Sequence, residues 1–242
     1  MLFRSGDVAV QAGDLAGAKA RFEEGLAIAR KLAKDNPTSA EAQRGLSVSL
    51  DWLGNVAVLA GDLAGAKARF EEELAILRKL AKDNPTSARA LRDFSISLER
   101  LGDVAVHAGD LAAAKARFEE DLAIARKLDK DNPTSAEALR DLSVGLEKLG
   151  EVAVEAGDLA GAKARFEEGL AIARKLAKDN PTSAQAQRDS SVLLFKLGTA
   201  TRDRTLLREA LRIVRDLERT GRLAPSDRHL TDVFTQAIDA MP

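Results

Sequence analysis

One long segment recurs in register along this chain, as residues 6–53, 54–101, 102–149 and 150–197, with no insertion or deletion. The first and fourth copies agree at 40 of 48 positions, and a fifth copy begins at Gly198 and then degenerates. Such a chain must build one small unit several times. A unit of that size cannot bury its apolar face alone, so neighbouring units must stack into a shared core.

Two breaker clusters divide each copy. Gly13-Asp14, Gly61-Asp62, Gly109-Asp110 and Gly157-Asp158 form one. The glycine can take the left-handed conformation that ends a helix, and the aspartate can accept hydrogen bonds from the free N–H groups opening the next. Asp35-Asn36-Pro37-Thr38-Ser39 and its copies form the other, where proline stops the preceding helix. Thr38 with Glu41, Thr134 with Glu137 and Thr182 with Gln185 have capping-box spacing. Between the breakers Leu63, Ala66, Phe70, Leu74, Leu77 and Leu80 recur at helical intervals of three or four, and Leu50, Leu53, Ala57 and Ala60 do the same. Each copy is therefore predicted to be an antiparallel helix pair, with helices about 30 Å long.

These residues resemble a tetratricopeptide repeat, in the pattern Leu53-Gly54, Ala66, Phe70-Glu71-Glu72 and Leu74 and its copies. The resemblance covers residues 6–197 and implies an all-α fold, a right-handed α-solenoid of stacked antiparallel helix hairpins. It implies that Gly54 and Ala66 let the two helices approach closely and that Phe70 fills the space between pairs. Two departures stand out. The period, from Gly6 to Gly54, is longer than the family's usual repeat of about 34 residues, so each helix is longer. The family's last small position is Gly25, Glu73, Asp121 or Gly169 here, and a looser contact is expected there.

The organisation expected is one solenoid domain. Residues 1–5 are a truncated helix remnant or an artefact, residues 6–53, 54–101, 102–149 and 150–197 are four repeats, and 198–242 hold a degenerate repeat and a C-terminal capping helix. Leu207, Leu211, Val214 and Leu217 give the first tail helix an apolar stripe; Leu230, Val233, Phe234, Ala237 and Ile238 give the last helix another.

Composition excludes several functions. With 37 Lys or Arg against 38 Asp or Glu the net charge is −1, which argues against a nucleic-acid clamp or a polybasic membrane binder. Cysteine is absent, so disulfide scaffolds and thiolate metal sites are excluded. No segment reads as a membrane span or a signal peptide, and a cytoplasmic protein is expected. The two histidines, His107 and His229, lie in different repeats. Gly-Asp-Leu-Ala-Gly lacks the Gly-Lys-Ser/Thr end of a phosphate loop, and no serine stands in a nucleophile elbow. Neither catalysis nor a cofactor is expected.

The informative positions are those that differ while the rest repeats. Asp51, Asn55 and Leu59 in one copy become Glu99, Asp103 and His107 in the next, then Glu147, Glu151 and Glu155. Asp7 and Gln11 hold the corresponding places in the first copy. Spacing of i, i+4, i+8 puts each trio on one helix face. By resemblance, this first-helix face lines the inner surface where peptides or partner helices dock. The expectation is a mostly acidic groove that prefers a basic peptide, with Leu59, Trp52 and Phe195 as apolar anchors. Arg100, Lys148 and Lys196, which stand where the first copy has Trp52, would partly neutralise it; complete solvation of this face is the plainer alternative.

The function expected is therefore a non-enzymatic protein–protein interaction scaffold. Alternatives are a structural or sensor arm of a larger bacterial-type multidomain protein, with an NTPase or protease elsewhere in the chain, and an artificial consensus array. The uncapped N-terminal repeat is also expected to favour self-association.

Overall fold

The computed structural model describes Val10 and residues 13–241. The remnant expected at residues 1–5 and the candidate residues Asp7 and Gln11 lie outside the described residues. Among residues 13–241 ten α-helices follow one another: α1 (Leu15–Asp35), α2 (Ala40–Leu59), α3 (Leu63–Asp83), α4 (Ala88–His107), α5 (Leu111–Asp131), α6 (Ala136–Glu155), α7 (Leu159–Asp179), α8 (Ala184–Thr201), α9 (Arg204–Arg219) and α10 (His229–Asp239). No strand occurs among the described residues. Two compact units divide within α5, one ending at Ile124 and one starting at Ala125. In each, consecutive helices pack against one another as antiparallel pairs.

The breakers act as their chemistry requires. Gly61 has φ of +74°, and its counterparts Gly13, Gly109 and Gly157 are also left-handed. The aspartate that follows caps the next helix: Gly65 N donates to Asp62 Oδ1 at 2.8 Å, and Asp14, Asp110 and Asp158 accept in the same way. At the other breaker the cap is the serine, not the threonine. Ala42 N donates to Ser39 Oγ at 3.2 Å, and Ser87, Ser135 and Ser183 repeat this. The helix starts one position later than the capping-box spacing requires, so Glu41 falls at the second helical position, out of register for the reciprocal bond. Thr134 and Thr182 donate instead to Asn132 Oδ1 and Asn180 Oδ1.

Each pair is closed by a glycine facing a phenylalanine. A Cβ on Gly54 would lie 2.3 Å from Cε1 of Phe70, and Gly102 with Phe118 and Gly150 with Phe166 show the same distance. The absent side chain admits the ring, which is fully buried in every case; burying such a ring stabilises by roughly 1.5–3 kcal/mol. Phe70 thus fills the space within its own pair. In the degenerate copy Gly198 plays this part against Leu207, whose Cδ2 would be 2.9 Å from the added Cβ.

The position expected to be loose is filled. Glu73 and Asp121 are each only 5% exposed, and Ser95 Oγ donates to Asp121 Oδ1 in a short hydrogen bond. The expectation failed because a side chain can occupy the gap as well as leave it, provided the facing residue is small.

Second helices of neighbouring pairs are tied by a repeated ion pair. Arg30 meets Glu72 at 2.7 Å and Arg78 meets Glu120 at 2.8 Å in the first unit. Arg126 with Glu168 and Arg174 with Glu209 follow in the second. At the C-terminus α9 buries Leu207, Leu211, Val214 and Leu217, while α10 buries Leu230, Phe234 and Ile238 and leaves Val233 exposed.

Candidate functional site

First helices are held together by charged pairs between neighbouring copies. In the first unit Arg44 Nε lies 2.8 Å from Asp93 Oδ2 and Arg100 Nε lies 3.5 Å from Asp51 Oδ1, both joining α2 to α4. In the second unit Arg140 pairs with Asp189 at 2.8 Å, joining α6 to α8. Lys196 Nζ donates to both Glu147 and Glu151. The side chains that vary between copies thus include both members of several of these pairs.

On α2, Asn55 Nδ2 donates to Asp51 Oδ2 at 3.0 Å, and Leu59 is 59% exposed. On α4, Glu99 and Asp103 are half-buried, and the exposed His107 has Nδ1 2.7 Å from the backbone oxygen of Asp103. On α6, Glu147, Lys148 and Glu151 are half-buried and Glu155 is exposed. The structure therefore brings Asp51, Asn55 and Arg100 together in one unit, and Glu147, Glu151 and Lys196 in the other.

Two of the three expected anchors are engaged in packing. The Trp52 ring stacks on Phe22 with centroids 5.3 Å apart, and Phe195 stacks on Phe234 at 4.3 Å. Leu59 keeps most of its apolar surface in water.

Behind this face lies a feature that sequence reading missed. Glu73 on α3 points between α2 and α4, with the buried Ser97 hydroxyl beside its carboxyl. Burial, with Asp51 and Asp93 nearby, pushes the Glu73 carboxyl up to about 8 against the pull of Arg100. Burial also raises the Asp51 carboxyl, opposed by Arg100 and by the bond from Asn55. The signal in the sequence was that position 73, a small position by resemblance, holds Glu where the first and fourth copies hold Gly.

Among the described residues no three His, Cys, Asp or Glu side chains are grouped to hold a metal ion. His229 Nδ1 lies 2.8 Å from the backbone oxygen of Ser226. No described helix is long and apolar enough to cross a membrane.

Comparison with solved structures places this architecture. The chain is similar to the putative kinesin light chain of Podosopora anserina with nearly identical TPR-like repeats, with a TM-score of 0.64 and 17% identity over 90% of this chain and 95% of that one. The fold is tetratricopeptide-like. BtubC (BKLC) from P. vanneervenii is similar with a TM-score of 0.65 and 18% identity, covering 93% of this chain and 82% of that one. RapI in its apo form matches with a TM-score of 0.63 and 13% identity, over 98% and 83% respectively. No protein-family model matches the chain, and no curated protein matches it in sequence. In the tetratricopeptide-like frame α2, α4, α6 and α8 are first helices, and α1, α3, α5, α7 and α9 are second helices.

Proposed function

We propose that this protein is a non-enzymatic scaffold that holds a peptide or partner helix along the exposed face of its first helices. One observation carries the reading. Copies that otherwise repeat nearly residue for residue differ at positions 51, 55 and 59 and their counterparts, which share one helix face and stay partly in water. Some of these side chains pair across neighbouring copies, as Asp51 does with Arg100, while Leu59, His107 and Glu155 stay exposed and are free to meet a partner. Solved structures with this fold, including the kinesin light chain repeats and RapI, give the reading its setting, and we place the scaffold in the cytoplasm.

The charge on this face favours a basic partner. Arg100 already draws on Asp51, and Lys196 on Glu147 and Glu151, so a partner's Lys or Arg would share these carboxylates and gain Glu155 in addition. The test compares Lys/Arg-rich with Asp/Glu-rich peptides on the wild type and on a triple variant, Asp51→Asn, Glu151→Gln, Glu155→Gln. The basic peptide should bind more weakly to the variant by about tenfold, as expected for lost charge-assisted bonds. No change in basic-peptide affinity overturns the reading.

A second reading concerns α1. Ile28 and Leu32 are 54% and 53% exposed, whereas their counterparts Leu80, Ile124 and Leu128 are buried and Ile76, Ile172 and Leu176 are half-buried. We propose that a second copy of the chain covers this patch, since an apolar face of this kind drives association. Light scattering across concentration should show a dimer or larger species that Leu32→Glu abolishes; a strict monomer at high concentration contradicts it.

A further inference from the structure

The outer row of every second helix before α9 is the same. Glu23, Ala27, Arg30 and Lys34 on α1 recur without change on α3 and α5, and as Glu167, Ala171, Arg174 and Lys178 on α7. The ion-pair ladder fixes how α9 aligns with them: Arg174 meets Glu209 as Arg126 meets Glu168. With Glu209 in that place, the outer row of α9 is Arg208, Arg212, Arg215 and Arg219. The formal charge of the row rises from +1 to +4. A glutamate and an alanine held constant in four copies have both become arginine.

All four arginines are exposed. They rim a surface hollow of about 450 Å³ whose floor is Leu211. Asp216 engages Arg219 at 2.6 Å, and Arg215 reaches Thr235 Oγ1 at 3.4 Å. Arg208 and Arg212, the two residues that depart from the repeat, have no hydrogen-bond or ion-pair partner among the described residues. No lysine occurs after Lys196, so every basic side chain here is the planar fork that grips a carboxylate with two parallel hydrogen bonds.

We infer that the outer face of α9 is a second docking surface, separate from the first-helix face, and that it takes an acidic segment of a partner protein. Arg208 and Arg212 supply the charge-assisted contacts, and Leu211 receives an apolar side chain between the acids. The row from Arg208 to Arg219 spans roughly 16 Å at 1.5 Å per residue, which about five extended residues cover. A nucleic acid fits less well. Its affinity depends on neutralising many phosphates, whereas this row is short and the chain as a whole is at −1.

The test uses the full chain and a fluorescent, end-blocked peptide of sequence Glu-Glu-Leu-Glu-Glu-Leu-Glu-Glu, read by anisotropy at low salt. The variant Arg208→Glu with Arg212→Ala installs the residues that α7 carries at the same places, so folding should be undisturbed; its thermal transition is checked alongside. Binding should weaken by at least about tenfold in this variant, and by about threefold in Arg208→Lys with Arg212→Lys, which keeps the charge and loses the fork. A single-stranded oligothymidylate of equal formal charge should bind more weakly than the peptide. The inference is overturned if the wild type does not bind the peptide, if the Glu/Ala variant binds it equally well, or if the oligonucleotide binds more tightly.

Discussion

Two regions of the molecule solve one packing problem in opposite ways. In the first unit α3 offers Glu73 and α4 offers Ser97, a large residue facing a small one. In the second unit the corresponding places on α7 and α8 hold Gly169 and Leu193, and a Cβ on Gly169 would lie 3.4 Å from Leu193 Cδ2. Volume is kept and chemistry is exchanged, as expected of a close-packed interior. The electrostatic consequences differ. Around Glu73 stand Asp51, Asp93 and Arg100. Around Gly169 the contacts are Leu193, Leu146 and the backbone of Ser143, whose Oγ donates to the Gly169 oxygen at 3.1 Å.

The harshest way to break the comparison is to give the second unit the first unit's acid. In Gly169→Glu the Cβ alone would already touch Leu193, so the rest of the side chain must displace it, and the counterpart of Arg100 is Lys196, already bound to Glu147 and Glu151. A loss of about 3 kcal/mol is expected from overpacking plus a buried carboxyl. A urea midpoint unchanged from the wild type would contradict it.

Next comes the pH dependence of the first unit. Glu73 holds its proton up to about 8 when folded, against the usual 4.5. The folded chain therefore binds one more proton than the unfolded chain between these values. Stability from this group is fully present below about pH 4.5 and is lost as pH rises towards 8, by an amount on the order of 5 kcal/mol. Asp51, whose carboxyl burial also raises, acts in the same direction. Urea titrations from pH 5 to pH 8.5 should show this decline in the wild type and a flatter profile in Glu73→Gln; parallel profiles refute it.

The exchange can also be carried out piecewise. Glu73→Gly should cost about 2 kcal/mol for the cavity, and Ser97→Leu about 1–3 kcal/mol for the clash. The double variant recreates the second unit's solution, so its loss should be smaller than the sum by at least about 1 kcal/mol. Strict additivity would show that the two sites do not share a space.

The hairpins themselves were legible in the sequence because their signals are local. Gly61-Asp62 ends one helix and starts the next at adjacent positions, and Gly54 meets Phe70 inside a single hairpin of a recurring pattern. Thr38-Ser39 was ambiguous because two adjacent hydroxyls compete for one cap. The burial of Glu73 depends on the size of Ser97, which lies on the following helix, and a difference at one position cannot announce its compensation at another. The ladder from Arg30 to Glu72 and the pairing of Lys196 with Glu147 span 42 and 49 residues, so they emerge only once the pairs are stacked. Trp52 and Phe195 were read as anchors since each is unlike its counterparts; both prove to stack on another ring.

The smallest effect concerns the turn between α8 and α9. Arg202 takes φ of 54° where the full copies have glycine, which costs a side-chain-bearing residue about 1–2 kcal/mol. Arg202→Gly relieves this but loosens the unfolded chain, so a net gain of about 0.5 kcal/mol is expected in thermal unfolding. Gly61→Ala, at φ +74°, should move the other way.

The proposed recognition face is formed by unlike side chains on otherwise like hairpins. Hydrogen exchange footprinting with a saturating Lys/Arg-rich peptide addresses it most directly. Protection should appear on α2, α4, α6 and α8 around Asp51, Asp103, Glu151 and Phe195, with α1, α3, α5 and α7 unchanged. Protection confined to the second helices, or spread equally over both sets, would contradict the account.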